Sequence, residues 1–160
     1  PEAQIDRFLF KLNISYGSMD DEQEIMNRSV KKDEITLSQV VSKKEICKMR
    51  DLVKQVYVSD KIKRYIVELV FATRRPKAQG FYDMENLIEY GASPRASIAL
   101  SHVACVHAML DGRTFVTPQD IKDIGLDILR HRIKVTYEAE AENITSVNII
   151  NRIFEGVDVP

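Results

Sequence analysis

Residues 91–121 read GASPRASIALSHVACVHAMLDGRTFVTPQDI and contain two helix starts of the same kind. Ser93 is a good N-cap residue and Pro94 suits the first helical position. Thr117 and Pro118 repeat this pair at the start of a second helix. The first helix carries apolar residues around nearly its whole circumference, which is typical of a helix at the centre of a protein. The stretch therefore predicts a mainly α protein built as a helical bundle.

Arg95 stands one residue inside the first of these helix starts. A cation at the positive end of a helix dipole is unfavourable by a few tenths of a kcal/mol, about 0.3 at an exposed site. In one interpretation the side chain turns outward into water. In the other, the guanidinium and the free N–H groups of the first turn form an anion site. The residues alone leave both interpretations open.

Further capping signals predict helices on both sides of this stretch. Ser42 and Glu45 form a capping box, Ser59 or Asp60 starts the next helix, and Thr145 starts a short last one. The segment MDDEQEIMNRSVKK places its acidic residues first and its lysines last, which also favours a helix. KVTYEAEAE is ambiguous between a strand and a loop, and residues 33–41 read as a loop, with or without a short extended piece.

The segment RFLFKLNISY at residues 7–16 alternates apolar and polar side chains and predicts a half-buried strand. Because PEAQID has the composition of a short helix, Arg7 would project from a helix–strand corner. The residues leave open whether Arg7 is a second candidate site residue or a surface arginine that is solvated or paired with Asp6. A single strand cannot satisfy its own edges. It either packs on the helices as an extended arm or belongs to a sheet that the chain does not contain. The first residue is Pro1 rather than Met, so we expect a piece of a longer protein.

Composition excludes several classes of protein. The 160 residues suffice for one core, and the formal net charge of −1 gives no support to a broad nucleic-acid-binding face. No apolar run approaches the roughly 18 residues of a membrane span. Cys47 and Cys105 are expected to be buried thiols in a reducing compartment, which predicts a cytoplasmic protein.

Catalytic and metal motifs give no site. None of the six glycines is followed by Lys, so the chain contains no P-loop, and no GxGxxG or HExxH motif is present. His102 and His107 lie five residues apart, whereas a metal pair on one helix face requires a spacing of three or four. His131 lies between Arg130 and Arg132 and is expected either in a solvated turn at a helix end or in contact with a phosphate or a partner. Arg74 is expected to end a helix. We expect no metal and no catalysis by this chain alone.

Three stretches together resemble the MoxR-type AAA+ ATPases: PEAQIDRFLFKL, the opening stretch at 91–121, and LRHRIKVTYEAEAENIT. The resemblance extends over nearly the whole chain. The Walker A, Walker B and sensor 1 motifs of the family precede the first of these stretches and are absent here. The resemblance implies that residues 1–18 are the end of the ATPase core, with its last strand. Residues 19–160 would be the C-terminal helical lid.

The resemblance also implies two site residues. Arg7, in the sequence DRF, matches the arginine finger that reaches the nucleotide of the neighbouring subunit. Arg95, in GASPRA, matches the sensor 2 arginine of the lid. The nucleotide would be ATP with Mg²⁺ in the full-length protein. In the clade that includes this family the lid is displaced, so the resemblance leaves open which subunit's nucleotide Arg95 touches.

The function implied is a lid that couples ATP hydrolysis to chaperone-like remodelling or to cofactor or metal insertion. The full-length protein would be an ATPase that forms a ring with itself, expected to be a hexamer, and a von Willebrand A domain protein is a possible partner. No nucleic acid partner is expected. The alternative is a helical interaction module that binds protein or DNA without nucleotide, since GRTFVTPQDI resembles the helical pattern of histones.

Overall fold

The structure is a computed structural model that describes residues 2–31 and 36–160, without the side chains of residues 2, 3 and 31. Its mainly helical architecture confirms the predicted fold class. Within the described ranges the helices are α1 (Glu2–Ile5), α2 (Met19–Lys31), α3 (Lys43–Val53), α4 (Asp60–Arg74), α5 (Pro94–Leu110), α6 (Pro118–Leu129), α7 (Tyr137–Ala141) and α8 (Ser146–Gly156). The two strands are β1 (Ile88–Tyr90) and β2 (Lys134–Val135), and two 3₁₀ turns, Lys77–Gln79 and Tyr82–Met84, precede β1.

The predicted caps form as expected. Ser42 and Glu45 make the reciprocal capping box of α3, and Ser59 caps α4 through the Ile62 amide. Thr117 forms a capping box with Asp120 at the start of α6. These bonds satisfy N–H groups that have no partner inside the helix, which is why the cap residues locate the helix starts so well.

Helices α4, α5, α6 and α8 enclose the core, and α5 lies at its centre as predicted. Its apolar residues encircle the helix, but they are not all buried. Its buried face is formed mainly by small side chains, and Ile98 and Leu110 are 57% and 75% exposed. Alanines let neighbouring helices approach α5 closely, and Leu100 is buried with them, whereas Ile98 and Leu110 lie on the outside. The buried residues of α5 are Ala96, Ala99, Leu100, Ala104 and Ala108.

The two strands form a short antiparallel pair in which Ile88 lies opposite Val135. The sequence left the region of β2 and α7 ambiguous between a strand and a loop, and the helix α7 was not expected. Thr136 caps α7 by accepting a hydrogen bond from the Ala139 amide. Its hydroxyl also donates to the Asn86 carbonyl, which ties the start of α7 to the segment before β1.

The strand predicted at residues 7–16 is not formed. Residues 10–18 adopt neither helix nor strand, and Ile14 and Tyr16 are 92% and 97% exposed. The alternating pattern suits a strand, but a strand also needs a neighbour to pair with its backbone. One backbone bond, from the Lys11 amide to the Asp127 carbonyl, holds the start of this segment to the end of α6. The division of the chain at residue 18 stays a prediction.

The cysteines are both free, but the prediction that both are buried is wrong. Cys47 is exposed on α3, and Cys105 is half-buried on α5. Burial raises the pKa of the Cys105 thiol. Among the residues that the structure describes, no helix combines the length and apolar character needed to cross a bilayer.

Candidate functional site

Asp6 lies where three parts of the chain meet: the end of α1, the start of α5 and the turn after α6. Its Oδ2 accepts a hydrogen bond of 2.8 Å from the Ser93 hydroxyl. Its Oδ1 accepts one of 3.2 Å from Nε of Arg132. The nearest guanidinium nitrogen of Arg95 lies 3.6 Å from Oδ2. One carboxylate, 18% exposed, therefore connects the α1 corner with two elements of the helical bundle.

Arg132, in the turn after α6, is only 5% exposed. Besides the Asp6 carboxylate, it donates to the carbonyls of Asp6 at 3.2 Å, Phe8 at 2.6 Å, Leu9 at 3.3 Å and Ile128. Burial lowers the pKa of Arg132, while the negative charge of Asp6 opposes that shift. The carbonyls replace the water that the guanidinium loses, so the buried cation is fully solvated by protein.

His131 lies in the turn after α6 as predicted, but it is half-buried against the same corner rather than solvated. Its Nε2 lies 3.0 Å from the Phe8 carbonyl oxygen. Because a carbonyl only accepts, Nε2 carries the hydrogen and donates it. Nδ1 is buried and has no hydrogen-bond partner among the described residues. Burial, aided by the charge of Arg132, lowers the pKa of His131, which favours the neutral ring.

Arg95 occupies the first turn of α5. Ser93 caps this helix by accepting a hydrogen bond of 3.2 Å from the Arg95 amide, and the first turn contains no acidic residue. The negative charge that offsets the helix dipole comes instead from Asp6 across the corner. The Arg95 side chain is 62% exposed and meets Asp6 only at 3.6 Å. It is therefore placed beside a helix N-terminus but free to reach an anion.

Arg7 lies between the anchored residues Asp6 and Phe8. Its amide donates to the Gln4 carbonyl at 3.1 Å, which closes the turn after α1. The Arg7 side chain is exposed, and no ion pair or side-chain hydrogen bond holds it to the described part of the chain. The structure thus brings the backbone of Arg7 to the same corner as Arg95 without joining the two side chains.

A cleft of about 570 Å³ opens beside this corner. Its walls are the end of α1, the segment from β1 to the cap of α5, and the turn after α6. Lys11, Lys134 and His131 lie among its lining residues, together with Tyr90 and Ser93. The volume is within the range of small-ligand sites, and its basic lining suits an anionic ligand.

The start of α5 is fixed to the end of α4. The Thr73 hydroxyl donates to the Val70 carbonyl at 2.7 Å and accepts from the Ala92 amide at 3.0 Å. A Cβ on Gly91 would lie 2.2 Å from the Thr73 carbonyl oxygen, so only glycine fits there. This close approach sets where the Arg95-bearing turn begins.

Arg74, at the end of α4, keeps the structural role that was expected for it. Its guanidinium carbon lies 5.1 Å from the centre of the Phe71 ring, a cation–π distance. Arg74 and Arg75 also line a second cleft of about 430 Å³ between α4 and β1. No contact connects either arginine with the Asp6 corner in the part of the chain that the structure describes.

A second polar cluster joins α5 to α6. Ligand-type atoms of His107, Asp111 and Asp120 lie within 4.8 Å of one another. Asp120 is 1% exposed, and Arg113 donates to both of its oxygens, at 2.7 and 2.5 Å. Burial would raise the pKa of Asp120, but hydrogen bonds from Arg113, Thr117 and His107 outweigh it and hold that pKa well below its ordinary value. Because its oxygens are already used, we read the cluster as a structural ion network.

The sequence singled out Arg95 and Arg7 as candidates, but it did not reveal the residues that organise their surroundings. Asp6 was considered only as a partner for Arg7, and Arg132 only as a neighbour of His131. Arg132 lies between Leu129 and Ile133, which are both buried. An arginine in a buried turn requires partners, and that was the one signal that could have marked it.

Comparison with known proteins agrees with the architecture. A family model described as the AAA lid domain matches residues 81–153. A crystal structure of a Cytophaga hutchinsonii protein, provisionally named an ATPase, superposes with a TM-score of 0.93 at 41% identity. The superposition covers 100% of this chain and 49% of that one.

Two curated relatives match the whole chain. Chaperone MoxR1 of Mycobacterium tuberculosis is 38% identical, and the uncharacterized protein YeaC of Bacillus subtilis is 37% identical. The chain covers 42% and 48% of them, so it spans about half the length of these relatives. Protein MoxR of Methylorubrum extorquens is 33% identical over 62% of this chain and 30% of its own length. The lid-domain match, the fold and these relatives together show that the chain contains a helical lid of the AAA+ type, similar to the corresponding part of the MoxR proteins.

Proposed function

We propose that this chain is the nucleotide-responsive lid of an AAA+ ATPase, in which Arg95 is the sensor 2 arginine and contacts a phosphate of ATP. The observation that carries the proposal is the position of Arg95. It projects from a capped helix N-terminus beside a basic cleft, 62% exposed, with Asp6 as its ion-pair partner at 3.6 Å. A phosphate would meet both the guanidinium and the helix dipole there.

Arg7 would act as the arginine finger on the nucleotide of a neighbouring subunit. Its exposed side chain has no competing carboxylate partner among the described residues, although its backbone is held in place. An arginine finger neutralises charge that develops on the transferred phosphoryl group. The role requires a ring of subunits, which we propose to be a hexamer, with ATP and Mg²⁺ bound between subunits.

The full-length protein would use the movement of this lid for chaperone-like remodelling or for cofactor or metal insertion, with a von Willebrand A domain protein as a candidate partner. The name of the M. tuberculosis relative, a chaperone, supports this class of activity. This chain has no P-loop of its own, so we propose that it is inactive by itself. The free thiols fit the reducing cytoplasm.

The test joins this chain to a P-loop core in one protein and measures steady-state ATP hydrolysis. Arg7→Ala should lower kcat by roughly 10³–10⁵ while ATP still binds, as for fingers of other NTPases. Arg95→Ala should weaken the response to nucleotide without loss of helix by circular dichroism. Arg64→Ala, which removes an exposed arginine paired with Glu68, is the matched control. Unchanged turnover in Arg7→Ala would exclude the finger, and an unaltered Arg95→Ala enzyme would favour a solvated side chain.

A nucleotide-independent interaction module is the second candidate, favoured by the exposed apolar side chains of the N-terminal segment. Phe8, Leu12, Ile14 and Tyr16 are each more than 60% exposed. Such a module would bind protein or DNA with no effect of ATP. Salt-dependent DNA binding by this chain would support it, since phosphate contacts weaken as salt rises.

A further inference from the structure

Arg132 is the most heavily bonded side chain of the corner, and the proposed function gives it no role. It is 5% exposed, and each of its three guanidinium nitrogens donates to the protein. A guanidinium has five N–H groups in a fixed planar fork. Five acceptors surround this one: the carboxylate of Asp6 and the carbonyls of Asp6, Phe8, Leu9 and Ile128.

Four of these acceptors lie in the three residues that surround Arg7. Asp6 precedes it, and Phe8 and Leu9 follow it, so one buried side chain holds the backbone on both sides of Arg7. Nε2 of His131 adds a second bond to the Phe8 carbonyl. The side chain of Arg7 itself remains exposed. The backbone around Arg7 is therefore held in place, whereas the Arg7 side chain is exposed to solvent.

The same corner is attached to the helix that bears Arg95. The Asp6 carboxylate receives Arg132 on one oxygen and the Ser93 hydroxyl on the other, at 3.2 and 2.8 Å. Ser93 is the N-cap of α5, and Arg132 follows the end of α6. The starting turn of α5, the end of α6 and the segment around Arg7 are thus hydrogen-bonded into one unit, across a separation of 126 residues in the chain.

We propose that Arg132 is a positioning residue that couples the Arg7 corner to the lid. A change in lid angle, set by nucleotide at Arg95, would then move Arg7 relative to the neighbouring subunit. This inference rests on the proposed function of Arg7. It adds a mechanical connection between the two arginines that runs through Asp6 and Arg132 rather than through the ATPase core.

The kinetic test uses Arg132→Lys in the protein joined to its P-loop core. Lysine keeps the charge but replaces the planar fork with a point charge, so it cannot hold Asp6, Phe8 and Leu9 together. We expect kcat to fall about 10- to 100-fold, the rate effect of misplacing a catalytic group by about 1 Å, with KM for ATP unchanged. In the Arg7→Ala background, Arg132→Lys should have no further effect on kcat. An equal loss in both backgrounds would overturn the inference, because Arg132 would then act without Arg7.

A second test needs no ATPase and uses this chain alone. The Lys11 amide donates to the Asp127 carbonyl at 2.9 Å, so its hydrogen exchange reports whether the segment stays attached to α6. Arg132→Lys should accelerate this exchange at least tenfold. Arg64→Lys is the matched control, because Arg64 is an exposed arginine of α4 that pairs with Glu68 on the same helix. Exchange that is equally slow in wild type and Arg132→Lys would overturn the proposed anchor.

Together, the two tests distinguish a failure of the proposed function of Arg7 from a failure of this inference. If Arg7→Ala leaves turnover intact while Arg132→Lys still releases the segment, the proposed function of Arg7 fails and the coupling fails with it, although the anchor stands. If Arg7→Ala stops turnover but Arg132→Lys releases the segment without lowering kcat, the function stands and this inference is wrong. Should Arg132→Lys not fold, Asp6→Asn provides the same exchange measurement, with acceleration expected and unchanged exchange counting against the anchor.

Discussion

Asp120→Asn should destabilise the helical bundle although it changes only one atom of a side chain. The two carboxylate oxygens accept from different sides. Oδ1 receives Arg113 at 2.5 Å and His107 at 2.7 Å. Oδ2 receives the other nitrogen of Arg113 at 2.7 Å and the amide and hydroxyl of Thr117 at 2.7 and 2.8 Å. An amide has one accepting end, so either orientation of Asn places an NH₂ group against other donors.

The magnitude follows from these contacts. A buried donor left without an acceptor costs about 1–3 kcal/mol, and the loss of charge-assisted bonding adds about 1 kcal/mol. We therefore expect Asp120→Asn to lower the free energy of unfolding by roughly 2–4 kcal/mol. For a domain of this size that corresponds to a fall in Tm of roughly 5–15 °C. Urea denaturation followed by circular dichroism measures the free energy, and calorimetry measures Tm.

The pH dependence gives an internal check. The pKa of Asp120 lies below its ordinary value of 3.8 in the folded chain, so the stability it confers is present above that value and is lost as pH falls. Only the wild-type chain has this carboxylate. The difference between wild type and Asp120→Asn should shrink by about 1 kcal/mol between pH 6 and pH 3, because the unfolded carboxylate takes up its proton first.

Asp123→Asn is the control, because Asp123 lies on the same helix, is 43% exposed, accepts a hydrogen bond of 2.6 Å from Gln119, and approaches His107 only at 3.9 Å. It should change the free energy of unfolding by less than about 0.5 kcal/mol. A difference below about 0.5 kcal/mol for Asp120→Asn, or one that stays constant down to pH 3, would refute the reasoning about opposed donors.

Three further predictions concern the surroundings of the site. Gly91→Ala should lower the free energy of unfolding by about 1–3 kcal/mol in urea titrations, because the added Cβ would clash with the Thr73 backbone. Gly17→Ala is the control and should have little effect on stability, because its Cβ would meet only an exposed side chain. Thr73→Val should lower the free energy of unfolding by about 1–2 kcal/mol and accelerate hydrogen exchange of the Ala92 amide, because that amide loses its acceptor. An Ala92 amide that exchanges at the wild-type rate would contradict this role of Thr73. Burial lowers the pKa of His131 below 6.5, so Tm of wild type should fall from pH 7.5 to 5.5 with a steeper slope than in His131→Asn; equal slopes would contradict a neutral buried ring.

The helix starts could be predicted from sequence because their causes are local. Ser93, Thr117 and Thr145 each bond to an amide two or three residues ahead, so the signal and the structure occupy the same few residues. The burial of α5 could not be predicted in the same way. Apolarity around the whole helix did not reveal that the neighbouring helices pack on its alanines and leave Ile98 and Leu110 exposed.

In the candidate site, too, the features with local causes could be predicted from the sequence and those with distant causes could not. Arg95 is visible because a cation at a capped helix start conflicts with a local rule. The contact between Asp6 and Arg132 spans 126 residues and has no periodic signature, so only the folded chain reveals it. The strand predicted at residues 7–16 was wrong because a local pattern was used to predict a non-local structure. Its alternation is a local property, but pairing into a sheet depends on a neighbouring strand.

Burial of a charged arginine in a turn is unfavourable unless its bonds compensate. The position of Arg132 beside the backbone of Arg7 offers a reason for its burial. A side chain that must reach a phosphate on another subunit loses about 2 kcal/mol of rotamer entropy when it binds. If its backbone were also mobile, ordering each residue would cost about 1–2 kcal/mol more. Bonds from Arg132 to Asp6, Phe8 and Leu9 order that backbone in advance, during folding. The exposed Arg7 would then lose only its own side-chain freedom on contact, which is the condition for a fast and specific response to the neighbouring nucleotide.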